Sequence, residues 1–235
     1  MKAERGKCLL RQFQAIYNIR SGELFGYECL RREEDWTGLS LPERLERTIG
    51  SIRSAYMCFA KSGQMKDHCA LCLNVSSSVL LRDAFQTFFF DWMNTHSVKP
   101  ENLVLEINGI QEKEINPLKD AFEVWKNTGI RLTIDRFGIG YTTLQDVFEL
   151  KPDFLKLDQK FVRGLRKSRF KKVALESLIH FSHKNGFELI VDGVRDLPTL
   201  FILMQMGVAY AQGDGISKPS SLAGNLGNWF DDIGE

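Results

Sequence analysis

A short apolar run over residues 130–134 ends in Asp135, Gly138-Ile-Gly140 makes a tight turn, a helical pattern follows, and a second apolar run reaches Lys156. Strand, polar tip, helix, strand and polar tip make a βαβ unit, whose two strands lie parallel in one sheet. In parallel sheets ligand sites form at the carboxyl ends of strands, so Asp135 and Lys156 are expected to face one crevice.

The same alternation extends through the chain. Residues 9–19 and 23–30 read as a hairpin around Arg20-Ser-Gly22. An amphipathic helix follows, with Pro42 in its first turn and Leu45, Ile49, Ile52, Tyr56 and Phe59 on one face. Strands are expected at 70–75, 103–107, 187–191 and 208–211, and helices at 79–93, from 115 to before Gly129, at 171–185 and at 197–206. Seven or eight strands alternating with helices indicate a parallel β/α barrel or a doubly wound sheet, with the opening hairpin making one strand antiparallel. No linker or short repeat interrupts the 235 residues, so a single domain spanning 1–235 is expected.

A nearly balanced charge, 31 Lys and Arg against 30 Asp and Glu, supplies no overall field for nucleic acid or membrane. Five cysteines without framework spacing and the lack of a long apolar run fit a cytoplasmic chain in a reducing compartment. Cys69-Ala-Leu-Cys72 is formally a redox or zinc motif, but residues three apart on a strand point to opposite faces. His180 and His183 have no third ligand near in sequence, and Asn74-Val-Ser76 is a sequon only in form. The cations of 160–172 (Lys160, Arg163, Arg166, Lys167, Arg169, Lys171 and Lys172) read either as a solvated helix start or as a docking patch for an acidic surface or phosphates. Phe88-Phe-Phe90 with Trp92 reads as an exposed contact or as a helix interface within the barrel.

If the strands align, their carboxyl ends carry Glu28, Asn74, Glu106, Asp135, Lys156, Asp192 and Gln212. Each alone is readable as an ordinary capping residue. Together, carboxylates and an amide beside an amine suit hard divalent cations and phosphate chemistry.

Gln14-Ala-Ile16, Glu28-Cys-Leu30 with Arg32, Asn74-Val-Ser76, Glu106-Ile107, Asp135-Arg-Phe-Gly138, Lys156-Leu-Asp158, Asp192-Gly-Val194 and Gln212-Gly213 stand in the order of the signatures of the bacterial EAL domain, which the chain resembles over nearly its whole length. The resemblance implies a TIM-like (β/α)8 barrel with one antiparallel strand, descended from phosphodiesterases that open cyclic di-GMP to pGpG with two Mg²⁺ or Mn²⁺ ions. It assigns the first metal to Glu28, Asn74, Glu106 and Asp135, the catalytic lysine to Lys156, the late glutamine to Gln212, and nucleotide contacts to Gln14 and Arg32.

The second metal of that family uses a second Asp and a Glu, where this chain has Arg136 and Asp192. Guanidinium does not deprotonate in proteins, and paired ions stand about 3.5 to 4 Å apart, so a cation there is expected to exclude the second ion. Asp192 is shorter than Glu by roughly 1.5 Å, whereas metal-ligand distances tolerate about 0.2 Å. Gly109 replaces the Glu that anchors the loop after Glu106, Arg195 replaces a further Glu, and Asp214 replaces an aromatic.

The expectation is therefore a catalytically impaired protein with vestigial Lys156, Asp192 and Gln212, at most one residual Mg or Mn site, and weak or absent cyclic di-GMP binding. It resembles free-standing family members that are anti-activators of the flagellar master regulator. Its expected partner is another bacterial regulatory protein, such as a flagellar transcription activator in the motility and biofilm switch, with no membrane and no direct nucleic acid contact. The alternative is a weak cyclic di-GMP phosphodiesterase or a non-hydrolysing receptor.

Overall fold

A computed structural model describes residues 11–30, 38–64 and 68–222, so Arg32 lies outside the described residues. Eight strands close into a barrel in chain order. They are β1 (Gln12–Asn18), β2 (Leu24–Leu30), β3 (Ala70–Ser76), β4 (Leu103–Asn108), β5 (Arg131–Phe137), β6 (Phe154–Leu157), β7 (Glu188–Val191) and β8 (Tyr210–Ala211). β1 is antiparallel to both β2 and β8, and every other neighbouring pair is parallel. Closure excludes the doubly wound sheet, because no strand is left with a free edge.

The helices are α1 (Leu41–Lys61), α2 (Ser77–Leu80), α3 (Asp83–His96), α4 (Ile115–Lys126), α5 (Leu144–Leu150), α6 (Gln159–Val162), α7 (Arg169–Asn185) and α8 (Leu197–Gln205). The single helix expected over 79–93 is two, broken at Leu81 and Arg82. Apolar spacing continues across the break, so period alone does not show it. α7 begins two residues earlier than expected, because the Ser168 hydroxyl accepts from the Lys171 amide at 3.2 Å and caps it.

Two apolar layers result. Between strands and helices, Phe85, Phe89, Trp92 and Trp125 pack ring to ring at centroid distances of 5.2 to 5.7 Å. This places Phe89 and Trp92 in a buried interface, while Phe88 is partly buried beneath the Arg53 guanidinium. Inside the barrel, Ile16, Ala70, Cys72, Val104 and Ile190 form the middle layer, over Phe25, Phe154 and Tyr210. Cys69 belongs to the outer layer and Cys72 to the inner one, and both are buried.

The apolar filling of one end leaves the other for polar side chains. That filling is tight at Gly26, where an added Cβ would stand 2.2 Å from the Ala70 carbonyl oxygen of the neighbouring strand. Since that atom is backbone, Gly26→Ala is expected to destabilise the fold by about 2 to 3 kcal/mol. Urea unfolding measures it, and a loss below about 0.5 kcal/mol contradicts this packing.

Candidate functional site at the barrel mouth

Side chains alternate along a strand, so positions two apart share the barrel interior. On β3 this carries the inward series from Ala70 and Cys72 to Asn74, on β4 from Val104 to Glu106, and on β6 from Phe154 to Lys156. Register then sets the levels: Gln14 pairs with Glu28, and Asn74 with Glu106. Glu28, Asn74 and Glu106 each stand two residues before their strand ends, and Asp192 and Gln212 immediately follow β7 and β8. All seven strand-end residues expected from the sequence therefore converge on one end of the barrel.

At the centre is Lys156, only 3% exposed, whose Nζ donates to Glu28 Oε2 at 2.6 Å and to both Glu106 oxygens at 3.0 and 3.2 Å. Asn74 Nδ2 donates to Glu28 Oε1 at 2.8 Å, and Gln212 Nε2 donates to Glu28 Oε2 at 2.8 Å. Gln212 Nε2 also donates to Gln14 Oε1 at 3.0 Å. Gln14 Nε2 in turn reaches Asp214 Oδ1 at 3.1 Å and the Ser217 carbonyl at 2.9 Å. Asp214 thus holds Gln14 in place, a role the sequence did not announce.

Burial pushes the Glu28 carboxyl up, but the charge of Lys156 and hydrogen bonds from Lys156, Gln212 and Asn74 outweigh it and hold the group at about 2. Burial also opposes charge on Lys156, yet the surrounding Glu106, Glu28, Asp135 and Asp192 keep it firmly protonated. Glu106, fully buried, is raised well above the usual carboxylate range by burial and then by the charge of Glu28. Asp135 and Asp192 are raised too, burial being the main cause for each. Four carboxyls around one ammonium are a surplus of acid, which is relieved by protons or by an added cation.

Asp135 and Arg136 lie where the β5–β6 register shifts, between Ile134 and Phe137. Arg136 adopts a φ of 57°, a left-handed conformation that costs a non-glycine residue about 1 kcal/mol. Its backbone N–H donates to Asp135 Oδ1 at 2.8 Å, and its Nε lies 3.7 Å from Asp135 Oδ2. The Arg136 side chain is 70% exposed, so it stands at the rim over a nearly buried carboxylate. Asp192 Oδ1 accepts from the Gly193 N–H at 2.6 Å, and Arg195 is drawn to Gln159 Oε1 at 3.0 Å.

The donors differ at the positions of the two ions that the resemblance implies. Glu28, Glu106, Asp135 and the Asn74 amide oxygen are of the type that holds a hard cation. Their present arrangement is organised on the Lys156 ammonium, which an ion would have to displace; among the described residues no three His, Cys, Asp or Glu side chains form a metal-holding group. A second ion beside Asp135 would meet Arg136 and the short, backbone-bound Asp192. That position does not fit a second divalent ion.

The mouth opens into a cavity of about 450 Å³ lined by Gln14, Glu28, Asn74, Asp135, Arg136, Lys156, Asp192 and Gln212. Gln212 Oε1 is buried and has no hydrogen-bond partner among the described residues, leaving an acceptor for a ligand or water. The loop after β4 is tied by a carboxylate that the sequence reading missed. Glu114 Oε2 accepts from Ser77 Oγ at 2.7 Å and from the Gln111 N–H at 3.0 Å, and Ser77 Oγ reaches the Gly109 carbonyl at 3.0 Å. The signal was Gln111-x-x-Glu114, a capping-box spacing. His183 Nε2 lies against Arg20 at 3.2 Å, not against His180.

The sequence profile of the EAL domain matches residues 2–219. The probable cyclic di-GMP phosphodiesterase PdeB of Escherichia coli K12 is 26% identical over 88% of this chain, which spans 42% of that protein. The cyclic di-GMP phosphodiesterase PdeL of the same organism is 24% identical over 88% of the chain, which spans 61% of it. Among solved structures, a standalone versatile EAL protein from Vibrio cholerae O395 in its c-di-GMP bound form superposes with a TM-score of 0.84 at 20% identity, covering 94% of this chain and 96% of that one. BlrP1 of Klebsiella pneumoniae, in a manganese and cy-diGMP complex, gives 0.78 at 21% identity, covering 89% and 55%. At these identities the structures establish the fold.

Removing the central ammonium strands two buried carboxyls. Lys156→Met is expected to cost about 3 to 5 kcal/mol of stability. Adding Glu106→Gln to that variant should recover part of the loss in chemical denaturation. A loss below about 1 kcal/mol would contradict the charge balance described here.

Proposed function

The chain belongs to the EAL domain family, and from that premise we propose that it is a catalytically impaired member acting by binding another bacterial regulatory protein, in the class of transcription activators that switch motility and biofilm formation. The observation that carries the proposal is the Arg136 guanidinium, Nε 3.7 Å from Asp135 Oδ2, where attack on a phosphodiester calls for a second ion. In two-metal hydrolysis both the attacking and the leaving oxygens are clamped by ions. A guanidinium carries charge and donates hydrogen bonds, but it does not coordinate a water as a Lewis acid and ionise it, so it does not replace that ion. Asp192, shorter than glutamate and bonded to the Gly193 N–H, supports the same reading.

A second reading is a slow cyclic di-GMP phosphodiesterase or a receptor that does not hydrolyse. What favours it is the retained set Glu28, Asn74, Glu106 and Asp135, the open Gln212 Oε1, and relatives that carry the phosphodiesterase name. One Mg or Mn ion and the dinucleotide are then the ligands, with Lys156, Arg136 and Lys160 at the cavity to meet phosphate.

Product analysis for pGpG with cyclic di-GMP and Mn²⁺ separates the two. The expected outcome is no turnover above background in the unaltered protein. The Arg136→Asp and Asp192→Glu double variant should gain turnover by about a hundredfold over that background, roughly 2.7 kcal/mol of barrier. Fast turnover by the unaltered protein overturns the proposal. Calorimetric binding without turnover favours the receptor.

A further inference from the structure

α6 and the turn Leu165–Lys167 carry the chain from the mouth to α7, and this stretch is strongly cationic. Seven Lys and Arg stand between Lys160 and Lys172, and no Asp or Glu occurs from Gln159 to Leu175. Lys171 is spent on structure, its Nζ donating to the Lys160 and Arg163 carbonyls at 2.5 and 2.7 Å. Arg166, Lys167 and Arg169 are exposed.

Apolar groups lie among these cations. Phe170 is 82% exposed and Val173 is 52% exposed, one turn apart on the outer face of α7. Leu197 and Phe201, 42% and 44% exposed, repeat this one turn apart on α8. The Leu165–Lys167 turn packs against both helices, and the charge of Arg166 reaches Asp196, the cap of α8. Two outward apolar ridges on neighbouring helices therefore flank one cationic turn. Lys160, which begins the run, also lines the mouth cavity.

We infer that this rim, formed by the first turns of α7 and α8, is the surface that takes the protein partner, and that its occupant is an acidic amphipathic helix. This names the contact surface of the function proposed above and rests on that reading. A helix laid across two ridges covers apolar side chains on both. The charge is complementary, since acidic residues flanking its apolar face would meet Arg166, Arg169 and Lys172. An anionic bilayer is the poorer occupant. Leu197 and Phe201 are half sunk among their neighbours, within reach of a ridged helix rather than a flat bilayer. Because the run begins at the cavity, a bound helix lies beside the mouth.

The probe is a fluorescent synthetic peptide of about 18 residues, five helical turns, with Leu and Phe on one face and Glu on the other. Two comparisons use a peptide of permuted order and vesicles rich in phosphatidylglycerol. The ordered peptide should bind roughly tenfold more tightly than the permuted one, and weaken with added salt. Phe170→Ser with Phe201→Ser, and separately Arg169→Glu with Lys172→Glu, should each weaken it by roughly tenfold, with unfolding midpoints near that of the unaltered protein. Equal binding of the two peptides, unchanged binding by the variants, or vesicle binding that the peptide does not compete for would overturn the inference. Rapid pGpG formation in a parallel assay would instead remove the non-enzymatic reading, while the peptide result would still decide the surface.

Discussion

One buried ammonium organises the mouth of this barrel. Lys156 is almost wholly removed from water, and the carboxyl groups that make this tolerable are Glu28, from β2 across the interior, and Glu106, from β4 two strands away. A buried charge without such partners costs several kcal/mol. Glu28 is itself gathered by Asn74 and Gln212, and Gln212 by Gln14, so β1, β2, β3, β4, β6 and the end of β8 are tied through one network. The antiparallel β1 matters because its Gln14 comes level with Glu28 and closes the ring of polar side chains.

The same network leaves the site with more acid than base. Glu106, Asp135 and Asp192 are all pushed above the ordinary carboxylate range, whereas Glu28 is held low. Such a centre attracts positive charge. At the Asp135 end the chain supplies that charge from its own sequence, through Arg136 on a left-handed backbone at the irregular point of β5. Backbone strain of this kind clusters at active sites, ligand clamps and switch regions. Here the cation stays near the carboxylate without needing dissolved metal.

Much of this was legible in the sequence because strand parity is a strong code. Asn74, Glu106 and Lys156 each follow an inward apolar residue by two positions, so the apolar runs predict the convergence of a polar end, while the choice of a barrel over a doubly wound sheet came from the resemblance alone. The partners of these groups were harder to see. Lys156 and Glu28 are 128 positions apart and meet only through closure of the barrel. Gln14 and Asp214 are 200 apart and meet for the same reason. The loop after β4 shows a different limit: Gly109 marked a missing carboxylate, while Glu114 holds that loop from the other side through a local spacing that passed unremarked. The break at Leu81 and Arg82 went unseen because the apolar rhythm continues through it.

On the function proposed for this chain, Arg136 and Asp192 leave no room for a second divalent ion beside Asp135. Anomalous scattering from crystals soaked in manganese tests it most directly. At most one ion is expected, among Glu28, Asn74, Glu106 and Asp135, with the Arg136 guanidinium still beside the Asp135 carboxylate. Two well-occupied manganese ions about 3.5 to 4 Å apart, with Arg136 turned away, would contradict it.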